Sequence, residues 1–263
     1  MISRKSPAQI EKMARAGEIV AGCLEMMKEM CRPDVTTAEL DRAAESFIRE
    51  HGGIPTFKGY RGYPASICAS PNEMVVHGIP GAYRIAGGDI VSLDVGVTLK
   101  GWVGDSALTV EVGDAGKLAE RLMEVTEASL WRAIAKCRAG NHLGDVSHAV
   151  QEYVEANGFS VVRTLVGHGI GRKMHEEPQI PNYGAAGAGP ELKEGMVFAI
   201  EPMVNAGSHK VVVGDDHWAV STADNCLSAH FEHTVAVTAA GPRVLTARAG
   251  EENKSLEAVS LVW

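Results

Sequence analysis

The chain has 263 residues, of which 45% are hydrophobic and 22% charged, with a formal net charge of −8; that supports one full core in a single domain or in two fused halves. The acidic balance, with no basic stretch to offset it, argues against a specific nucleic-acid partner. Five cysteines (Cys23, Cys31, Cys68, Cys137 and Cys226) make an odd set without a C-x-x-C pair, which argues against a disulfide framework or a thiolate zinc site and for small buried residues in a reducing compartment.

The N-terminal stretch MISRKSPAQIEKMARAG holds no apolar run of signal-peptide length. No segment approaches the ~20 apolar residues of a bilayer span, so a cytoplasmic protein with no membrane contact is the expectation. Ser6-Pro7-Ala8-Gln9 sets an N-cap serine, a proline at the first helical position and a glutamine at N3, a capping box. Ile10, Met13, Gly17, Val20, Leu24 and Met27 then recur at helical spacing, a stripe that reads as a core face rather than a cofactor box. Pro33-Asp34 breaks this helix, and Thr36 with Glu39 opens a second, whose apolar face (Leu40, Ala44, Phe47, Ile48) stops at Gly52-Gly53. From Thr56 to Val112 the pattern is strands and Gly/Pro-rich loops. Two helices are predicted over about 115–138 and 145–157, split by Ala139-Gly140-Asn141. Strand-like runs continue to about Thr246, followed by a polar tail to which no element is assigned.

The order helix, helix, strands thus occurs twice. His77-Gly78-Ile79 is echoed by His168-Gly169-Ile170, and Gly88 stands six residues before Asp94 as Gly195 does before Glu201. A later strand in each half carries another acid, Asp105 and Glu232. The expectation is one α+β domain over 1–263 built from pseudo-twofold repeats of about 1–113 and 114–246.

In GGDIVSLDVGV (87–97), alternation puts Val91, Leu93, Val95 and Val97 on one face and Ile90, Ser92, Asp94 and Gly96 on the other. GMVFAIEPMV (195–204) repeats the arrangement, with Met196, Phe198 and Ile200 opposite Val197, Ala199 and Glu201. A carboxylate in an apolar strand is costly to bury unpaired. Taken singly, each strand could lie at a sheet edge with its acid meeting water or an arginine; two in matching places favour a shared site. Asp105 in GWVGDSALTVEV, Glu232 in LSAHFEHTVAVT and His168 between glycines that would let a ligand approach complete a set of four carboxylates and one imidazole. Two divalent cations would balance that charge, about 3.5–4 Å apart as in paired-metal hydrolases. Oxygen-rich ligation with one nitrogen suits Mn²⁺, Fe²⁺, Co²⁺ or Zn²⁺ better than copper.

At these residues the chain closely resembles the type I methionine aminopeptidases. The resemblance is carried, in order and over nearly the whole chain, by GYRGYPASICASPNEMVVHGIPG (59–81), IVSLDVGV (90–97), GWVGDSALT (101–109), VGHGIGRKMHEEPQIPNYG (166–184), GMVFAIEPMV (195–204) and SAHFEHTVAVT (228–238). It implies the pita-bread fold, with a central antiparallel sheet and helices on its outer face. It implies that Asp94 chelates one metal, that Asp105 and Glu232 bridge two, and that His168 and Glu201 complete the other. Glu201 would be the general base on a metal-bridging hydroxide, with His77 and His175 against the scissile amide; His233 would pack or hydrogen-bond. The methionine pocket maps onto Tyr60, Tyr63, Cys68 and Trp218, with Phe57 and Met174 at its edges. Position 57 is often cysteine and 174 often phenylalanine in the family, which puts the fine shape of the pocket in question. A monovalent-cation loop at Asn72, Met74 and Ser228 is also implied. So are removal of the initiator methionine from nascent proteins when the second residue is small, a transient ribosome association and a monomer. The competing readings are a proline-specific peptidase of the same fold, usually with an added N-terminal domain, a non-catalytic binding protein that kept the shape, and a metal-storage or structural domain.

Overall fold

The structure, a computed structural model, describes residues 2–251 and Lys254. Met1 and most of the polar tail (252, 253 and 255–263), included in the single domain expected above, lie outside the described residues.

Helix α1 spans Pro7–Met30, and its capping box forms: Gln9 N donates to Ser6 Oγ and Ser6 N to Gln9 Oε1. Its apolar stripe is buried, including Met13, Val20, Leu24 and Met27. Gly17 sits in that stripe because nothing larger fits: a Cβ there would stand 1.9 Å from the Leu245 carbonyl oxygen. Helix α2 (Thr37–Glu50) starts at the second capping box, from Thr36 and Glu39. The first half continues with β1 (Ile54–Pro55), β2 (Cys68–Pro71), β3 (Met74–Val76), β4 (Ile90–Leu99) and β5 (Trp102–Glu111). Helices α3 (Lys117–Lys136) and α4 (Leu143–Ala156) follow. Helix α4 begins two residues ahead of the sequence expectation because the Asp145 carboxylate accepts from His142 N at 2.7 Å, capping from inside the first turn. The second half supplies β6 (Ser160–Val161), β7 (Gly167–Gly169), β8 (Glu176–Ile180), β9 (Val197–Ile200) and β10 (Met203–Asn205). Then come β11 (Val211–Val213), β12 (Val220–Thr222), β13 (Ser228–His230), β14 (His233–Thr238) and β15 (Gly241–Val244).

Every described strand pair is antiparallel, in four sheets. Two of them frame the site. Strand β4 has β5 along one side and β1 and β2 along the other, and β9 lies between β14 and β7. Neither acid-bearing strand is an edge, which removes the alternative of acids simply meeting water at a sheet margin. Val91, Leu93, Val95 and Val97 join Met196, Phe198, Ile200 and the α1 residues Val20, Leu24 and Met27 in the main core, as the alternation predicts, although Ile90 from the opposite face is buried there too. The seam between the sheets is fastened by an isolated bridge between Ala107 and Glu232. Thr234 reinforces it, its Oγ1 accepting from Asp105 N at 3.0 Å and donating to Asp105 O at 2.8 Å.

Candidate metal centre

Strand register brings the acids together. Asp105 pairs with Gly96, two residues along β4 from Asp94, and paired residues share a face, so the two aspartates are diagonal neighbours. His168 on β7 pairs with Ala199, two residues before Glu201. Glu232 precedes β14 and joins them through the bridge at Ala107. Asp105, His168 and Glu232 present ligand atoms within 4.8 Å of one another. Asp94 and Glu201 line the same cavity, of about 360 Å³. All five residues of the expected ligand set therefore converge.

Their hydrogen-bonding is incomplete in an informative way. Asp105 and Glu232 are each 2% exposed, yet among the described residues Asp94 Oδ1, Asp105 Oδ1 and Glu232 Oε1 have no hydrogen-bond partner. Asp94 keeps some exposed surface, but its Oδ1 is sealed. The His168 Nδ1 lies 3.0 Å from the Gly169 carbonyl, so Nδ1 carries the proton and Nε2 presents a lone pair. That Nε2 stands 3.6 Å from Glu201 Oε1 and 3.8 Å from Asp105 Oδ2, too far for hydrogen bonds. Burial pushes the imidazolium pKa down to about 3, with neighbouring His175 adding to the effect, so the ring does not act as a counter-cation at neutral pH. The lone pair and the two carboxyl groups converge on a gap that no hydrogen bond bridges among the described residues, an arrangement a cation would satisfy. Burial raises all four carboxyl groups, Asp94 to about 8. Asp94 and Glu201 add charge repulsion at Asp105, and Asp105 does so at Glu232. The donor chemistry fits divalent cations. Cys68 borders the site, but burial and then Asp94 hold its thiol protonated, so it offers no thiolate.

The glycines beside His168 do not open the backbone to a ligand, as the sequence suggested. A Cβ at Gly167 would meet Ala199 O at 2.4 Å, and one at Gly169 would meet Glu177 O at 2.1 Å. They let β7 sit tightly between β9 and β8, which aims His168.

The cavity wall is the expected one. Phe57, Tyr63, Cys68 and Met174 are buried in one apolar cluster, with Tyr60 and Trp218 packed on it. Tyr63 spends its hydroxyl on the carbonyls of Ile67 (2.9 Å) and Gly78 (3.0 Å), leaving its ring, edge-on to Trp218 at 5.0 Å, as the pocket surface. Phe57 occupies the space a side chain at Gly96 would need: a Cβ there would stand 2.6 Å from Phe57 Cε1. His175 is exposed, lies 4.1 Å from the His168 ring, and shares a hydrogen bond of 2.9 Å between its Nδ1 and Tyr60 OH. Burial of its ring atoms, then Arg61 and His77, pull its pKa to about 4. His77, half-buried with a positive φ of 61°, is also lowered by burial and stands 6.5 Å from Trp218. Both rings are neutral at pH 7.

Three expected residues lie outside the cavity that the ligand cluster lines. Ser228 N donates to Asn72 O at 2.9 Å, while the Asn72 side chain turns to Asp89 and the Ser228 hydroxyl to Asn205. Met74 lies on β3. His233 is fully buried between Thr246, Glu251 and Trp131, facing away from the cavity. One residue escaped the sequence reading: His230, 2% exposed, sets an unpartnered Nε2 3.9 Å from Glu201 Oε2 and 4.0 Å from Glu232 Oε2. Its place two residues before Glu232 in the sequence was the available signal.

The family model of metallopeptidase family M24 matches residues 11–239. The chain belongs to that family. Within it, a methionine aminopeptidase from Clostridium perfringens is 53% identical over 246 residues, covering 94% of this chain and 99% of its own. Methionine aminopeptidase 1 of Bacillus subtilis is 50% identical, again over 94% and 99%. The crystal structure of methionine aminopeptidase from Thermotoga maritima superposes with a TM-score of 0.93 at 44% identity, covering 94% of this chain and all of that one. The chain is accordingly grouped with the methionine aminopeptidases on the pita-bread fold. A prolidase from Pyrococcus furiosus shares the fold at 22% identity with a TM-score of 0.76, and this chain spans 65% of its length. Among the described residues no helix is long and apolar enough to cross a membrane. The M24 family assignment implies a divalent metal, and the carboxylate–histidine cluster is where it fits.

Proposed function

We propose that this M24 metallopeptidase removes N-terminal methionine from polypeptides whose second residue is small. The observation that carries the reading is the lone pair of His168 Nε2 facing Glu201 and Asp105 within a cluster of four carboxyl groups, beside a cavity walled by Tyr63, Cys68, Met174 and Trp218. An unbranched thioether matches aromatic and sulfur-bearing walls.

Asp94, Asp105, His168, Glu201 and Glu232 would hold two divalent cations drawn from Co, Mn, Fe or Zn. Such a pair, when bound, supplies Lewis acidity to water and to the scissile carbonyl. The residues of the chain do the rest. Asp94, the register partner of Cys68, lies at the pocket end of the cluster, where the free α-amine of a bound methionine would be received. Glu201 accepts the proton of the attacking water at Oε2, the oxygen turned away from His168. In the tautomer in which Nδ1 of His175 accepts from Tyr60 OH, the neutral ring holds its proton on Nε2 and donates it to the carbonyl oxygen as charge develops there. His77, also neutral, would contact the amide from the Trp218 side. A cavity of about 360 Å³, shared by the metals and a methionine side chain, leaves little room beyond the first residue, which supports a small second residue. The backbone carbonyls of Asn72, Met74 and Ser228 are the candidate ligands of a monovalent cation. The repeated order of two helices and then acid-bearing strands supports a duplicated chain with the metals on its seam.

Release of free methionine from Met-Ala-Ser by metal-loaded protein, abolished by chelator, is the expected result. A loaded protein that leaves Met-Ala-Ser intact would overturn the reading, and cleavage of Xaa-Pro substrates instead would favour the proline-specific alternative.

A further inference from the structure

The segment ahead of α1 has no part in the chemistry above, yet it holds a buried lysine. Lys5 is 7% exposed. Its Nζ donates to Glu176 Oε2 at 2.9 Å and to Ser3 Oγ at 2.6 Å, and Ser3 Oγ donates in turn to the same Glu176 oxygen. The other oxygen, Glu176 Oε1, accepts from the backbone N–H of Arg172 (2.8 Å) and Lys173 (3.3 Å). This one carboxylate therefore holds the turn from Gly171 to Glu176 in shape while tying it to the N-terminal arm. Against the cost of burial, the hydrogen bonds from Ser3 and Lys5 keep Glu176 at about 2.

The arm is itself fixed at both sides. Lys5 N donates to Gly195 O at 2.6 Å, just ahead of β9. A Cβ at Gly171 would lie 2.5 Å from Lys5 Cε, and one at Gly195 would lie 2.5 Å from Lys5 O. The arm is threaded between two backbone stretches that both lead into the metal centre. His175 is the residue before Glu176. It is exposed, and its own side-chain anchors are Tyr60 and the His168 ring. Its backbone position is inherited from the turn.

From this geometry we infer that Lys5, acting through Glu176, is a positioning residue for His175. The inference rests on the proposed contact of His175 with the scissile amide. A displacement of about 1 Å in such a group is enough to lower turnover on the order of 100-fold. A purely structural lysine would affect stability and leave the catalytic contribution of His175 untouched.

The test is a mutant cycle of Lys5→Met and His175→Ala, read as kcat and KM on Met-Ala-Ser with Mn²⁺-loaded full-length protein, together with Mn²⁺ affinity by calorimetry. Lys5→Met should lower kcat by about 10- to 100-fold, leave KM and Mn²⁺ affinity within roughly threefold, and be partly rescued by Lys5→Arg. In the His175→Ala background the same change should cost less than about twofold, because the group it positions is gone. An equal loss in both backgrounds, or an unchanged kcat in Lys5→Met, overturns the inference while leaving the proposed activity standing. A fully active His175→Ala overturns the role of His175 and this inference together. Should Lys5→Met not fold, Glu176→Gln runs the same cycle, since it keeps an acceptor for the turn and removes the charge that Lys5 holds.

Discussion

Replacing Asp94 by asparagine should make the metal-free protein more stable and its metal response weaker. In the metal-free chain Asp94 titrates at about 8, raised by burial, against an ordinary value of 3.8. Holding a proton at pH 7 on such a group costs roughly 4 kcal/mol relative to the ionised, solvated carboxylate of the unfolded chain. Asparagine is neutral in both states and escapes that cost, though its amide must still be satisfied in the site, so a net gain of about 2 kcal/mol is expected. For a chain of this length that is a rise of ~4–8 °C in Tm. The sign with pH follows from the raised folded-state value: the folded chain binds more protons than the unfolded one between about pH 4 and 8, so wild-type metal-free stability falls as pH rises through that window. The advantage of Asp94→Asn should therefore be small at pH 5 and largest at pH 8. Metal reverses the order. A ligand at 1,000 times its dissociation constant stabilises by about 4.1 kcal/mol, and the variant should lose most of that gain. Melting curves of both proteins at pH 5 and pH 8, with chelator and with Mn²⁺, decide the matter. A variant less stable than wild type at pH 8 without metal, or a gap that does not change with pH, would refute the account of the site as a strained cluster awaiting cations.

Glu201→Gln should reduce kcat at least 100-fold while metal affinity weakens only in part; retained turnover would remove the proton-accepting role. His77→Ala should lower kcat with little change in bound metal measured by atomic absorption. Gly96→Ala should displace the Phe57 ring, whose Cε1 would lie 2.6 Å from the added carbon, costing about 1–3 kcal/mol in denaturant melts and raising KM for Met-Ala-Ser; an unaltered KM would show that Phe57 does not shape the pocket. Glu176, held at about 2 in the folded chain, should stabilise it above about pH 4.5 and lose that contribution as pH falls toward 2, so the Tm difference between wild type and Glu176→Gln should vanish in acid.

The local grammar of the chain is readable because it is written in neighbouring residues. Both N-terminal capping boxes form, and the alternation in 91–97 and 196–201 separates core from site, while Ile90 at the start of β4 goes to the core instead. The ligand set and pocket follow from the family resemblance, and the structure gathers those residues. What sequence could not display was contact between distant backbones. Gly167 and Gly169 read as room for a ligand, but they make room for β9 and β8. His230 escapes because its meaning lies in where β13 ends relative to Glu201, 29 positions earlier in the sequence by the two residue numbers. Lys5 reads as an ordinary polar residue before a helix until the fold carries Glu176 to it.

These long-range contacts share a direction. The arm and α1 are far in sequence from the carboxylate–histidine cluster, yet both press on the strands that aim its side chains. A Cβ at Gly104, the residue before Asp105, would stand 2.9 Å from Gly17 N in α1. Lys5 lies against Gly195, which leads into β9 and Glu201, and Glu176 ties the same arm to the turn bearing His175. Val103 N donates to Gly171 O at 2.9 Å, joining the Asp105 strand to that turn as well. Four carboxyl groups crowded in a low-dielectric site resist ionisation, and any charge they take on without a cation tends to push their strands apart. A frame that clamps those strands from outside lets the carboxylates stay close enough to seize cations, and the N-terminal arm is one of its clamps.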